Sequence, residues 1–192
     1  NAAGYLLDKG RIGDIREMLI QAFQADSETP EVHYELARYN RRVTAPTEER
    51  EALDNAQEAF RRAEPLSTER LHKQIDTDIR SGEYWFERDE LLRATEEYSR
   101  AQNRYTQAVE AGFLDPTAEL ARVFARLGDI DYYHSGELDR ALQRYDRAAA
   151  DGVVADDLNY KRGFLHYRDE RYDQAAEYFL DIGSSNALVG PD

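Results

Sequence analysis

Histidines and carboxylates are the side chains of this chain that could carry out chemistry. The four histidines are His33, His72, His134 and His166, and none lies in an HExxH segment or any paired metal-ligand spacing. Their scatter favours structural or solvent-facing roles over metal binding or catalysis. Cysteine is absent, which excludes thiolate nucleophiles, disulfides and zinc–thiolate sites within this sequence.

Adjacent acids occur at Glu48–Glu49, Glu96–Glu97 and Asp156–Asp157. In a chain with 39 carboxylates such pairs arise by chance, and they suit helix starts or solvated helix faces. The sequence contains no GxSxG element, no P-loop and no glycine-rich dinucleotide fingerprint. We therefore expect no enzymatic activity, no metal and no cofactor.

The charge of the chain limits the classes of partner. The net charge is −14, whereas binding to nucleic acid or to an anionic membrane surface requires a basic face. No apolar run approaches the roughly 20 residues that cross a bilayer. We expect neither nucleic-acid binding nor direct membrane insertion. The lack of cysteine favours an extracytoplasmic location slightly, and both the cytoplasm and the bacterial periplasm stay open.

Two stretches 34 residues apart carry the same kinds of residue at matching positions. Residues 133–145 are YHSGELDRALQRY, and residues 167–179 are YRDERYDQAAEYF. The apolar residues that follow each polar turn recur at i, i+3, i+4 and i+7, which is typical of an amphipathic helix. Another apolar-periodic stretch precedes each turn. The sequence therefore predicts a repeated unit of helix, short turn and helix.

Weaker copies of the second helix occur upstream. They are centred on Ile15, Ala56 and Ala94, before the clear copies at Ala141 and Ala175. Turn and capping residues predict ten helices in all. The predicted boundaries are Gly10, Ser27–Pro30, residues 44–49, Pro65–Thr68, the region of Asp89, residues 112–117, Ser135–Gly136, Asp151–Asp156 and Arg168–Arg171.

This pattern resembles the tetratricopeptide repeat (TPR), a helix–turn–helix unit of 34 residues. The last complete unit carries the family's small and aromatic positions at Gly163, Tyr167, Tyr172, Ala175 and Phe179. The preceding unit departs from the pattern in its first helix, where Asp129 replaces the expected small residue. The resemblance covers the second half of the chain best, and longer helical repeats are an alternative for the first half.

The resemblance implies an all-α, TPR-like solenoid of about five helix pairs wound as a right-handed superhelix. We expect one continuous array over residues 1–192, taken from a longer protein. The approximate units are 1–26, 27–66, 67–112, 113–153 and 154–183. Stacking buries the apolar stripe that a single helix pair would leave exposed.

The resemblance also implies a protein–protein interaction scaffold or adaptor. The first helix of each TPR unit, helix A, lines the concave face, where a peptide or helix of another protein would bind. The composition suggests a bacterial envelope, secretion or motility assembly. The predicted contact residues are Tyr34, Arg38, Arg41, Arg42, Phe86, Arg126, Tyr133, Tyr160, Phe164 and Tyr167.

Several alternatives stay open at the level of sequence. The aromatic residues could pack between repeats instead of binding a partner. The cluster of Arg38, Arg41 and Arg42 could hold an acidic segment or could pair with neighbouring glutamates. The array could also self-associate, or it could dock an enzyme whose catalytic domain lies outside this segment. The sequence leaves the oligomeric state undetermined.

Overall fold

The chain is described by a computed structural model that covers residues 15–63 and 67–187, with side chains up to Ile182. These residues form helices and turns and contain no strand, which confirms the all-α prediction. The helices are α1 Ile15–Ala25, α2 Pro30–Arg42, α3 Pro46–Arg62, α4 Thr68–Phe86, α5 Leu91–Glu110, α6 Ala118–Ile130, α7 Leu138–Ala150, α8 Asp156–Arg168 and α9 Tyr172–Ala187.

Most predicted helix boundaries agree with the structure because local chemistry determines them. Pro30 occupies the first turn of α2, where its missing N–H costs no hydrogen bond. Ser67 caps α4 by accepting a hydrogen bond from the Arg70 backbone N–H at 3.2 Å. Thr117 caps α6 in the same way. The predicted boundaries at Gly10 and Pro65 lie outside the described residues.

The helices pair in sequence order as antiparallel hairpins. The largest helix–helix interfaces join α2 to α3, α4 to α5, α6 to α7 and α8 to α9, and α1 packs on α2. The chain divides into two compact units, one ending at Leu114 and one starting at Asp115. Unit 1 contains α1–α5, and unit 2 contains α6–α9. The predicted continuity of the array stays a prediction.

Three hairpins close through a glycine of the first helix that faces an aromatic ring of the second. A Cβ atom on Gly82 would lie 2.5 Å from the Tyr98 ring, and one on Gly163 would lie 2.7 Å from Phe179. In the third hairpin the contact joins Gly128 and Tyr145 at 2.6 Å. Only a residue without a side chain allows such close approach of helix and ring.

The Gly128 contact corrects one sequence prediction. The small residue of α6 is Gly128 and not position 129, because the chain makes a π-helical turn over Asp131–Ser135 after α6. A π turn adds one residue to a helix. Gly128 and Tyr145 are therefore 17 residues apart, compared with 16 in the other two hairpins. Asp129 lies one position further on and accepts a hydrogen bond from the Tyr145 hydroxyl at 3.0 Å.

The two units have different interiors. In unit 1, α4 is buried on several sides, and its buried residues include Ile75 and Ile79 but also the carboxylates of Asp76 and Asp78. In unit 2 the core is mainly apolar and aromatic, with Leu120, Leu127, Tyr145 and Leu165 fully enclosed. Within the described ranges, no helix combines the length and apolar character needed to cross a bilayer.

Candidate partner-binding surface

Helix α8 presents a stripe of aromatic side chains to solvent. Tyr160, Phe164 and Tyr167 follow one another at i, i+4 and i+7, which places them on one side of the helix. All three are exposed. Asp156 and Asp157 in the first turn and Arg168 in the last turn complement the helix dipole. The stripe therefore lies on a regular helix whose ends are electrostatically favourable.

The π turn after α6 adds a fourth ring to this stripe. It places Tyr132 and Tyr133 in succession, with ring centroids 4.7 Å apart in an edge-to-face arrangement. Tyr132 is half-buried and packs on Phe164 at 6.2 Å, while 60% of Tyr133 is exposed. Burial, followed by the nearby Tyr133 and Tyr160, raises the pKa of Tyr132. We call Tyr133, Tyr160, Phe164 and Tyr167 the aromatic face.

A buried lysine supports the aromatic face from beneath. The Lys161 Nζ donates hydrogen bonds to Asp129, at 2.8 Å, and to Asp157, and it lies 5.3 Å from the centroid of the Tyr133 ring. Burial acts to lower the pKa of Lys161, but the hydrogen bonds to the two carboxylates outweigh it and raise the pKa. The lysine therefore stays charged and fixes α8 against α6.

The π turn is held in place by a buried carboxylate. Asp131 is 1% exposed, and its Oδ2 accepts hydrogen bonds from Arg140 Nε at 2.9 Å and from Arg144 Nη1 at 2.6 Å. Both arginines lie on α7. Because a buried carboxylate is stable only when it is paired, these bonds fix the turn that carries Tyr132 and Tyr133.

The predicted contact residues in unit 1 are mostly engaged inside the unit. Tyr34 is buried, and its hydroxyl donates a hydrogen bond to Asp76 Oδ2 at 2.8 Å. Arg38 pairs with Glu35 at 3.0 Å. Arg41 donates to Glu87 Oε2 at 2.7 Å and lies 3.5 Å from Glu49. The salt-bridge interpretation therefore applies to Arg38 and Arg41.

The remaining predicted residues differ in exposure. Arg42 is exposed and Phe86 is half-buried. Arg126, on α6, is exposed and lies 3.7 Å from Asp129, two helical turns before Tyr133. The structure therefore brings together the predicted aromatic residues of unit 2, whereas those of unit 1 do not form a comparable exposed set.

Sequence reasoning missed Tyr132, Lys161 and Asp131, which position the aromatic face. Their roles depend on contacts between helices that periodicity does not report. One signal was present: the spacing from Gly128 to Tyr145 is one residue longer than in the other hairpins, which indicates an inserted residue between the helices.

Two of the four histidines, His33 and His166, have structural surroundings. His33 Nε2 lies 2.7 Å from the Ser27 carbonyl oxygen, and His166 is buried and stacks on Tyr178 with ring centroids 5.3 Å apart. Burial lowers the pKa of His166, which favours its neutral form. Among the residues that the structure describes, no group of three His, Asp or Glu side chains could hold a metal ion.

Solved structures of other proteins share this arrangement of hairpins. PilF of Pseudomonas aeruginosa superposes with a TM-score of 0.71 at 16% identity, over 100% of this chain and 74% of PilF. MamA superposes with a TM-score of 0.64 at 18% identity, over 98% of each chain. YrrB, described as a TPR protein with an unusual peptide-binding site, gives 0.57 at 16% identity, over 97% of this chain and 85% of YrrB.

The chain has a TPR-like fold. At this level of identity the likeness shows the fold alone, and it confirms the helical-repeat class predicted from Gly163, Ala175 and Phe179. No protein-family model and no curated protein sequence matches the chain.

Proposed function

We propose that the chain is a non-catalytic interaction module that binds a helix or peptide of another protein on the aromatic face of unit 2. The observation that carries the proposal is the exposure of Tyr133, Tyr160, Phe164 and Tyr167 on neighbouring helical segments. Aromatic side chains contribute large contact areas at a low entropic cost, and tyrosine is frequent among residues that dominate binding energies.

The geometry of the aromatic face favours an ordered partner segment. Its rings are positioned by the Tyr132–Phe164 contact, the Lys161 ion pairs and the anchored π turn, so little side-chain entropy is lost on binding. Amphipathic helices bind apolar helix surfaces through anchors spaced by one or two turns. The solved TPR protein with a peptide-binding site supports this mode of binding.

The test is capture of partners from an extract of the source cells on immobilised wild-type chain and on a variant carrying Tyr133→Ser, Tyr160→Ser and Tyr167→Ser. We expect at least one protein to bind the wild type at low and near-physiological salt and to be lost from the variant. The control variant is Val154→Ser, Phe113→Ser and Val43→Ser, which removes three exposed apolar side chains elsewhere. Equal capture by all three proteins would contradict the proposal.

The setting in a bacterial assembly stays a prediction. Self-association is the second candidate function, and α9 provides the observation that favours it. Tyr172, Phe179 and Leu180 on α9 are exposed, with Leu180 at 73%. Sedimentation equilibrium over a range of concentrations tests this alternative. A mass that rises with concentration, and that Leu180→Ser returns to the monomer value, would support a self-associating array.

A further inference from the structure

The single tryptophan of the chain has two arginines close to its ring, all three in unit 1. Trp85, near the end of α4, has the Arg93 guanidinium carbon of α5 4.5 Å from its ring centroid and that of Arg50 of α3 at 4.9 Å. Tyr84 packs edge-on against Trp85 with centroids 5.1 Å apart. The ring therefore joins guanidinium groups that come from two different helices.

The two arginines differ in how their charge is balanced. Arg50 donates to Asp54 Oδ2 at 2.9 Å and to Ser81 Oγ at 3.3 Å. Arg93 is exposed, and no carboxylate of the described residues lies within ion-pair distance of it.

Other charges around Arg50 make a bound anion favourable. Burial lowers the pKa of Arg50, and repulsion from Arg93 and Arg100 acts in the same direction, against the attraction of Glu97. Glu97 is itself engaged by Gln57 at 2.8 Å and by Arg100 at 2.8 Å. A carboxylate placed beside Arg93 would reduce the repulsion among these guanidinium groups.

Stacking prepares a guanidinium for anion binding. The group is planar, and when its face lies on an indole ring its N–H donors point outward in the plane. A carboxylate can then accept two parallel hydrogen bonds from one edge. Since the contact with the Trp85 ring already restrains the Arg93 side chain, less entropy is lost on binding. Leu92, next to Arg93 in sequence, is 76% exposed and is an apolar side chain that the same partner segment could contact.

We propose that Arg93, held over the Trp85 ring, is a binding site for a carboxylate side chain in a short acidic–apolar segment of a partner protein. The site lies in unit 1 and does not depend on the aromatic face of unit 2. The net negative charge of the chain disfavours long acidic segments, so one or two carboxylates next to a leucine form the suitable ligand.

Intrinsic fluorescence tests the proposal because Trp85 is the only tryptophan. The probe is a short peptide of Leu, Glu and Ser without aromatic residues, titrated while Trp85 emission is recorded. A second peptide carries Gln in place of Glu, and a third carries Gln in place of Glu and phosphoserine in place of Ser. The proteins are the wild type, Arg93→Gln and the control Arg147→Gln.

Arg147 is a matched control because it also stacks on a ring, Phe124 at 5.5 Å, but pairs with Asp151 at 2.9 Å. We expect the Glu peptide to change Trp85 emission, Arg93→Gln to weaken its binding about tenfold, and Arg147→Gln to leave binding unchanged. Circular dichroism checks that both variants stay folded.

Three results would overturn the proposal. The first is a Trp85 emission that does not respond to the Glu peptide at millimolar concentration. The second is equal binding of the Glu and Gln peptides, or equal weakening by the two substitutions. The third is binding of the phosphoserine peptide alone, which would indicate a phosphate site in place of a carboxylate site.

Discussion

Tyr34 and Tyr160 are each the fifth residue of the first helix of a hairpin, α2 in unit 1 and α8 in unit 2. Tyr34 is 5% exposed, whereas Tyr160 is 56% exposed. In unit 1 the next first helix, α4, supplies Asp76 and Arg80 around Tyr34. In the described part of unit 2, no helix of that kind follows α8. The comparison shows that the next hairpin determines whether an aromatic residue at this position is core or surface.

The comparison also indicates how a partner could bind. A helix lying on α8 as α4 lies on α2 would cover Tyr160, Phe164 and Tyr167. Tyr133 belongs to the preceding hairpin and stays exposed although α8 follows it. The aromatic face is therefore not only the uncovered end of a stack, because the π turn holds one of its rings outward.

Replacement of Asp76 should have the largest effect on stability. Asp76 is fully buried and is bonded to Tyr34 and to Arg80 Nε, at 2.5 Å. Asp76→Asn should lower the free energy of unfolding by about 3 kcal/mol, because it leaves a partly buried arginine without its counter-ion. Asp139→Asn breaks an exposed pair with Arg168 in unit 2 and should cost less than about 0.5 kcal/mol. Urea unfolding of both variants measures the difference in stability. Similar losses would contradict a stabilising role for the bonds of Asp76 to Tyr34 and Arg80.

The pH dependence of stability tests a second buried carboxylate of α4, Asp78. Burial raises the pKa of Asp78 to about 6, although Arg104 and Gln57 act to lower it. A raised pKa in the folded state contributes stability below the unfolded-state pKa, near 4, and this contribution is lost as the pH rises through about 6. The shift corresponds to about 3 kcal/mol.

Asp78→Asn should remove this contribution. As the pH rises from 4 through 6, the unfolding free energy of the wild type should therefore fall relative to that of the variant. Above about pH 7 the difference should be constant. Asp139→Asn serves as the exposed control. A difference for Asp78→Asn that does not vary with pH in this range would show that the Asp78 carboxylate is not perturbed by burial.

Alanine at the hairpin glycines should distinguish rigid from adjustable contacts. Gly82→Ala would place a Cβ atom against Tyr98, which is fully buried, and should cost about 1.5 kcal/mol after the gain in helix propensity. Gly163→Ala meets Phe179, which is 37% exposed and can move outward. That variant should change stability by less than about 0.5 kcal/mol. Thermal unfolding measures the stability of both variants. A larger loss for Gly163→Ala than for Gly82→Ala would contradict a rigid contact at Tyr98 and an adjustable one at Phe179.

The smallest effects concern the two tyrosine hydroxyls. Tyr34→Phe removes the hydrogen bond to Asp76 and should cost about 1 kcal/mol. Tyr160→Phe leaves an exposed ring in place and should leave the free energy of unfolding unchanged. Chemical denaturation of the two variants under identical conditions makes the comparison. A measurable loss for Tyr160→Phe would indicate that this residue is part of the core.

Local chemistry explains why much of the fold could be predicted from the sequence. Pro30, Ser67 and Thr117 start helices through their own backbones or side chains, and the repeat around Ala141 and Ala175 follows from helical periodicity. These signals act over a few residues, so no tertiary contact is needed to interpret them.

The features that the sequence did not reveal depend on distant partners. Tyr34 is buried and bonded to Asp76, which lies 42 residues further along the chain. Arg41 pairs with Glu87, 46 residues away. The π turn absorbs one extra residue, and so a fixed spacing placed the small residue at Asp129 when it is Gly128. Exposure within a repeat is a property of neighbouring hairpins, and the aromatic positions of the two units look alike in sequence.

Chemical labelling of tyrosines, located by mass spectrometry, tests the central claim most directly. The chain has 13 tyrosines, and their modification can be compared in the free protein and in the presence of a captured partner. We predict that Tyr133, Tyr160 and Tyr167 are labelled in the free protein and protected by the partner, while Tyr34, Tyr98 and Tyr145 are protected in both. Partner-dependent protection that leaves Tyr133, Tyr160 and Tyr167 labelled would contradict the aromatic face as the binding surface.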